Sequence, residues 1–314
     1  MNEVELVINQ FILEEGKLYT LPELYQQLEE KIYSDTVSID EIASLINTDA
    51  ALSAKVLKLA NSPLYGFRAE INTLQRALTL IGTKEVRNLI LMDTITHNFN
   101  QGSSYAILKM EDFWTRSVYI ALISKRMAKK LKHPEVDRLF VSGIMSRIGQ
   151  LVSCTTRCNE VLKVLNETLS FPLMDEFTIE VEHLGFNYNQ VSAELLHRWH
   201  VPDEITLALD HIHSPLDLPE DLDPRTILDI YILHVASIYS HLLEHEDANM
   251  TADLIKPADE VMSDDINKYI DHVSPKINKL LAIDRKFIDD ILFEIEMDAL
   301  EILNIVFPKS TSIY

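Results

Sequence analysis

The chain has 314 residues, 47% of them hydrophobic, enough to bury a large core in one elongated domain or two subdomains. Lys and Arg number 28 against 49 Asp and Glu, a net charge of −21; such a surface repels phosphate backbones and anionic membranes, so nucleic acid and membrane are not expected partners. Only seven glycines and few alternating apolar–polar runs argue against a β protein, and the expected class is all-α.

The opening MNEVELVINQF carries early acids and no basic stretch before an apolar core, unlike a signal peptide. No apolar run approaches the ~18 residues that span a bilayer. Two cysteines fit a reducing compartment, and the expected location is the cytoplasm.

Residues 1–37 are expected to hold one or two helices, with Leu6, Phe11 and Ile12 inward and, after Pro22, Leu24, Leu28 and Ile32. Residues 38–93 read as four short helices. Ser38 and Glu41 have capping-box spacing, and Asp49 caps a helix with Leu52, Val56, Leu59 and Ala60 on one face. That helix stops at Asn61-Ser62-Pro63, because Pro63 lacks an amide proton and pushes Ser62 out of the α region. The turn is either a plain helix stop, bonded to local backbone, or a contact surface. Thr73 opens a third helix, Gly82 closes it as a left-handed C′ residue, and Thr83 caps a fourth.

A polar linker is expected at 98–105, then a long helix from Glu111 to Lys132. Its basic residues Lys125, Arg126, Lys129, Lys130 and Lys132 read as a solvated face. Pro134 starts the next helix, which leads into Leu139 to Val152. Cys154 and Cys158 lack the second ligand pair of a structural zinc site and read as buried, inert thiols. After a turn at 170–175, helices are expected over 177–185 and 189–200, with another capped by Asp203. Further helices follow over 225–244, 258–271 and 284–307. In the last, Ile288, Ile291, Leu292, Ile295, Ala299, Ile302, Leu303 and Val306 form a stripe read as core.

Leu21-Pro22, Asp49 before Leu52-Ser53, Leu59-Ala60-Asn61-Ser62 and Leu80-Ile81-Gly82, in this order, resemble the HDOD domain, over roughly Leu18 to Leu243. The resemblance implies an HD-like helical bundle with an N-terminal helical subdomain. We divide the chain into that subdomain at 1–100, a degenerate HD-like subdomain at 101–245 and C-terminal helices at 246–314. It further implies kinship with the HD metal-dependent phosphohydrolases and a regulatory role in bacterial signalling.

HD-type enzymes hold their metals with a His, a His-Asp doublet and a distant Asp. At the matching positions this chain has Arg116, then Ser146-Arg147, and Ser237 after Val235-Ala236. Arginine offers no lone pair and stays charged, so it repels a cation, and serine is a feeble ligand. Tyr188 stands where another family histidine is expected, and Ile212 separates His211 from His213. His197, His200, His211 and His213 read as structural histidines.

No metal, cofactor or catalytic residue is therefore expected. The family-motif positions are Asn61, Ser62 and Gly82. Arg116, Ser146, Arg147, Tyr188, His211, His213 and Ser237 form a degenerate site able to take an anion. Arg116 and Arg147 are expected to turn into it and meet a carboxylate, with Asp210 and Glu194 as candidates, or a bound anion. The first functional reading is a non-catalytic module that contacts signalling proteins in trans, with homo-oligomerisation left open. The alternatives are a sensor of a small anionic ligand such as a nucleotide, and a residual phosphohydrolase.

Overall fold

The computed structural model describes residues 3–15, 23–32, 37–100, 108–170, 176–248 and 270–306, and among these it contains helices and no strand. Leu21-Pro22, the turn at 170–175 except its first residue, and most of the helix expected over 258–271 lie outside the described residues. The chain divides into two compact units. One comprises Met1–Glu14 and Ser103–Glu296, the other Glu15–Gly102 and Met297–Tyr314. The first helix thus groups with the later unit, and the C-terminal residues are split between both.

The smaller unit holds α2 (Glu23–Ile32), α3 (Ile39–Ile46), α4 (Ala50–Ala60), α5 (Leu74–Ile81) and α6 (Thr83–Asn100). Start signals set these elements. The Ser38 hydroxyl accepts from the Glu41 amide while the Glu41 carboxylate accepts from the Ser38 amide at 2.9 Å. Asp49 accepts from the amides of Ala51 and Leu52, and Thr73 from that of Arg76. Leu52, Val56, Leu59, Ala60, Leu74, Ala77 and Leu78 are buried, as their spacing requires. Two details differ from the sequence reading. Thr83 is the first residue of α6, not its cap, and α6 continues to Asn100, through the first part of the expected linker.

The larger unit begins with α1 (Glu3–Glu15) and continues through α7 (Met110–Lys130), α8 (Val136–Met145), α9 (Ile148–Thr156) and α10 (Cys158–Ser170). It then has α11 (Glu176–Leu184), α12 (Tyr188–Arg198), α13 (Asp203–Asp210), α14 (Pro224–Ala248) and α15 (Pro275–Leu280). The last helix, α16 (Arg285–Val306), is divided between the units. Polar pairs explain why α1 belongs here: Arg198 donates to Asn9 at 2.7 Å and Arg157 to Gln10 at 3.2 Å. Its inward residues include Val7 and Ile8, whereas Leu6, expected inside, is exposed.

α7 is buried on most sides, packing against both α8 and α14. Its basic residues are not a free patch. Lys125 pairs with Asp137 at 2.5 Å, Arg126 with Glu294 at 3.4 Å and Lys130 with Asp290 at 3.5 Å. In α16 the residues Ile288, Ile291, Leu292, Ile295, Ala299 and Ile302 are buried, Leu303 half-buried. Asp203 is the first residue of α13 rather than its cap, a position taken by Pro202. Of the cysteines, Cys154 is buried, but Cys158 is exposed at the start of α10, where the chain has already turned outward.

The long run expected from Pro134 to Val152 is broken in two. α8 ends at Met145, Arg147 has φ −102° and ψ 2°, and α9 restarts at Ile148. α9 then runs so close to α12 that a Cβ on Gly149 would lie 2.0 Å from the Tyr188 carbonyl oxygen. No other residue type fits there.

Candidate functional site

Four elements of the larger unit bring charged side chains together where the sequence places the degenerate metal site. Arg116 comes from the middle of α7, Arg147 from the α8–α9 break, Glu176 from the first residue of α11 and His241 from α14. Arg116 grips Glu176 with both ends of its fork: Nη1 donates to Oε1 at 3.2 Å and Nη2 to Oε2 at 2.5 Å. Arg147 donates to the same two oxygens at 3.3 and 3.2 Å, and Nη2 also donates to Gln150 Oε1 at 2.8 Å. His241 Nε2 contacts Arg116 Nη2 and lies 3.7 Å from Glu176 Oε2.

The cluster is enclosed, the side chains of Arg116, Arg147 and Glu176 being 7%, 10% and 9% exposed. Burial pushes the Glu176 carboxyl up, but Arg116, Arg147 and His241 together hold it well below the usual carboxylate range. One turn later, Glu180 behaves in the opposite way. Burial and the neighbouring Glu176 charge raise it well above the usual carboxylate range, and it accepts the Tyr188 amide at 2.8 Å. Burial, then Glu180, likewise raises the Tyr188 phenol, whose hydroxyl is enclosed with no hydrogen-bond partner.

The other expected site residues divide. Ser146 turns its hydroxyl back to the Gly143 carbonyl at 2.7 Å, and its own carbonyl accepts from Asn189 and Ser192. His213 reaches the same network. Its Nε2 pairs with Asn189 Oδ1 at 2.7 Å and its ring stacks on Phe177 at 5.3 Å. Burial, with help from nearby His234, drives its pKa down to about 3, so it is neutral and structural. Ser237 is half-buried on α14, one turn before His241, which is the α14 residue in the cluster. His211 ends α13 outside the cluster, and His197 and His200 are exposed.

The carboxylate partner is Glu176, not Asp210 or Glu194. Asp210 is exposed at the end of α13, and Glu194 is engaged by Arg198 at 2.8 Å on its own helix. Sequence reasoning missed Glu176, Glu180, Gln150 and His241. Two acids at i, i+4 flanking Phe177 and Ile179 were the one visible signal for the first two.

The donor set does not fit a divalent cation. Arg116 and Arg147, which the family resemblance sets at ligand positions, offer no lone pair, and among the described residues no group of three or more His, Cys, Asp and Glu could hold a metal ion.

In the smaller unit, Asn61 is a staple. Its Oδ1 accepts from the Ile71 amide at 2.7 Å, and its Nδ2 donates to the carbonyls of Ile71 and Leu57, each at 2.9 Å. Ser62 is buried and donates to the Leu59 carbonyl at 2.7 Å. Leu64 and Ile71 point inward, while Phe67, stacked with Tyr65 at 6.1 Å, is exposed. Gly82 joins α5 to α6, its amide bonding to Leu78 and its carbonyl to Val86. Its φ is positive at 100°, but ψ is 151°, so the conformation is extended rather than left-handed helical. It must end one helix and start the next at a single residue.

A model of the HDOD domain matches residues 18–215. The curated "Uncharacterized protein YuxH" of Bacillus subtilis (strain 168) is 24% identical over 154 residues, 48% of this chain, and the match spans only 34% of that protein. Among solved structures, an HDOD domain protein of unknown function from Geobacter sulfurreducens superposes with a TM-score of 0.68 at 22% identity, covering 97% of each chain. A protein of Shewanella amazonensis SB2B, whose name assigns it provisionally to the phosphohydrolases, gives 0.67 at 19% identity over 94% of this chain and 97% of its own. At these identities the likeness concerns the fold.

Proposed function

We propose a non-catalytic regulatory role in bacterial signal transduction for this chain, which belongs to the HDOD domain family. It acts in the cytoplasm through contacts with signalling proteins. One observation carries the reading: two of the positions from which HD-type enzymes would ligate metal, Arg116 and Arg147, are bound into a cluster with Glu176. A metal would supply Lewis-acid activation of water and phosphoryl oxygen. Here its place is taken by fixed guanidinium charges with no lone pairs, so the chain's own residues neither ligate a cation nor move a proton to a leaving group.

What remains is a rigid helical scaffold whose surfaces can be read by partners. The loop from Ser62 to Thr73 suits that use, since Asn61 fixes its backbone before any partner arrives and ordering costs are already met. Two assays test the proposal. Purified chain supplied with Mn²⁺ or Fe²⁺ is expected to leave phosphomonoesters and cyclic dinucleotides intact; metal-dependent turnover abolished by Arg147→Ala would refute the non-catalytic reading. Affinity capture from the native cell is expected to yield a signalling protein whose binding is reproduced with purified components and lost on altering Phe67. Binding that no purified candidate reproduces would refute the contact reading.

A further inference from the structure

One stretch of this acidic chain is basic. Residues 50–82 hold four bases and one acid, whereas the whole chain has 28 bases and 49 acids. Of the four, Lys55 is paired with Asp93. Lys58, Arg68 and Arg76 are exposed and make no ion pair among the described residues. The bonds from Asn61 to Ile71 keep their backbones close together. Lys58 lies one turn before Asn61 on α4, Arg68 in the loop, and Arg76 in the first turn of α5, which Thr73 caps. Phe67, exposed and stacked with Tyr65, precedes Arg68. Aromatic and arginine side chains are the usual anchors of protein interfaces, and a loop fixed in advance loses little entropy on binding.

The larger unit carries a counterpart. The turn from Pro215 to Pro224, between α13 and α14, has four acids and no base. Asp217, Glu220 and Asp221 are exposed and likewise make no ion pair among the described residues. Leu216 beside them is 51% exposed, more than Phe67 at 38%. Three prolines restrict the backbone, so this segment too is held before any contact forms. One surface is basic and aromatic, the other acidic and aliphatic.

We infer that these surfaces dock on each other between copies of the chain: the basic loop around Phe67 of one copy takes the acidic turn around Leu216 of a second. Such a contact is heterologous, joining two different patches, so each bound copy keeps a patch that can take a further one. Copies carrying −21 each repel at long range. That repulsion is screened beyond about 8 Å at physiological ionic strength, while opposite charges in contact lie well inside that distance. The surfaces are short, which puts the contact at the small, transient end of protein interfaces. The inference rests on the choice of this loop as a contact surface, made above, and names its occupant; it needs no signalling partner.

The test is analytical ultracentrifugation of the full chain alone, from micromolar to near-millimolar concentration. Reversible self-association is expected, weakening as salt is added. Reversing the loop charges together (Lys58→Glu, Arg68→Glu, Arg76→Glu) should weaken it about tenfold or more. Reversing those of the turn (Asp217→Lys, Glu220→Lys, Asp221→Lys) should do the same. The second result is the sharper, because those lysines lower the net repulsion between copies and would strengthen association if net charge governed it. Mixing the two variants should restore association, since the reversed loop then meets the reversed turn. If either variant fails to fold, a synthetic peptide of residues 215–224 decides. It should disperse oligomers of the unaltered chain, and the same peptide with its acids changed to amides should not. A chain that stays monomeric throughout, association unchanged in either variant, or variants that stay apart when mixed would each overturn the inference. A monomeric chain would still leave the loop free for a signalling protein, so the two readings fail separately.

Discussion

At Gly82 a single residue ends α5 and begins α6 with φ 100° and ψ 151°, a region essentially closed to side chains. A Cβ there would meet nothing within 4 Å, so the penalty for Gly82→Ala is backbone strain alone. We expect a loss of about 1–3 kcal/mol, read from the denaturation midpoint, and an unchanged midpoint would show the backbone has another conformation. The buried histidines give a second prediction. Burial lowers His234 to about 4, its Nδ1 being held at the Ile212 carbonyl at 2.8 Å. The unfolded chain takes up a proton near pH 6.5 that folded His234 refuses until about pH 4. Its contribution is therefore fully present above pH 6.5 and lost as pH falls toward 4. Glu180 and Asp229, whose carboxyls burial raises (Asp229 to about 7), run the other way in an overlapping window, losing stability as pH rises. The difference between wild type and His234→Gln isolates the histidine: their stability gap should shift by roughly 3 kcal/mol in favour of wild type from pH 4 to 6.5. A gap independent of pH would mean that His234 titrates normally.

At the scale of elements, Asn61 and Gly149 show how two short motifs act. Asn61 closes the chain from Ser62 to Ile71 through two hydrogen bonds to Ile71, and a third to the Leu57 carbonyl anchors it to α4, which satisfies both the donor and acceptor sides of its amide. Asn61→Ala should cost about 1–3 kcal/mol and sharply accelerate hydrogen exchange at the Ile71 amide. Retained protection there would mean the loop is held by Leu64 and Ile71 packing instead. Much of this level was legible in sequence. The capping residues Ser38, Asp49 and Thr73 and the inward faces of α4 and α5 follow from local spacing, because helix starts and amphipathic faces are written in residues three and four apart. What escaped was non-local. The bond from Asn61 to Ile71, the approach of Gly149 to α12 and the outward turn of Cys158 depend on partners that spacing cannot supply. At the site, Arg116 and Arg147 were legible because they stand at motif positions. Glu176 was not, since its one local signal, an acid spaced i, i+4 from Glu180 beside apolar residues, names no partner until tertiary packing brings α11 to α7.

For the whole molecule, an acidic chain encloses two arginines and a carboxylate in one place, where four elements meet. Removing Arg116 takes two hydrogen bonds from the buried Glu176 carboxylate and leaves Arg147 to hold it alone. Arg116→Ala should therefore destabilise the larger unit by about 3–5 kcal/mol, measured by chemical denaturation. A loss below about 1 kcal/mol would mean the pair is solvated like a surface ion pair. The central claim is that these arginines have replaced a metal. Its most direct test is the metal content of the purified chain after equilibration with Mn²⁺ or Fe²⁺ at pH 7 and gel filtration. The account predicts well under one ion per chain, with no difference between wild type and Arg147→Ala; one or more tightly held ions per wild-type chain, lost in Arg147→Ala, would contradict it.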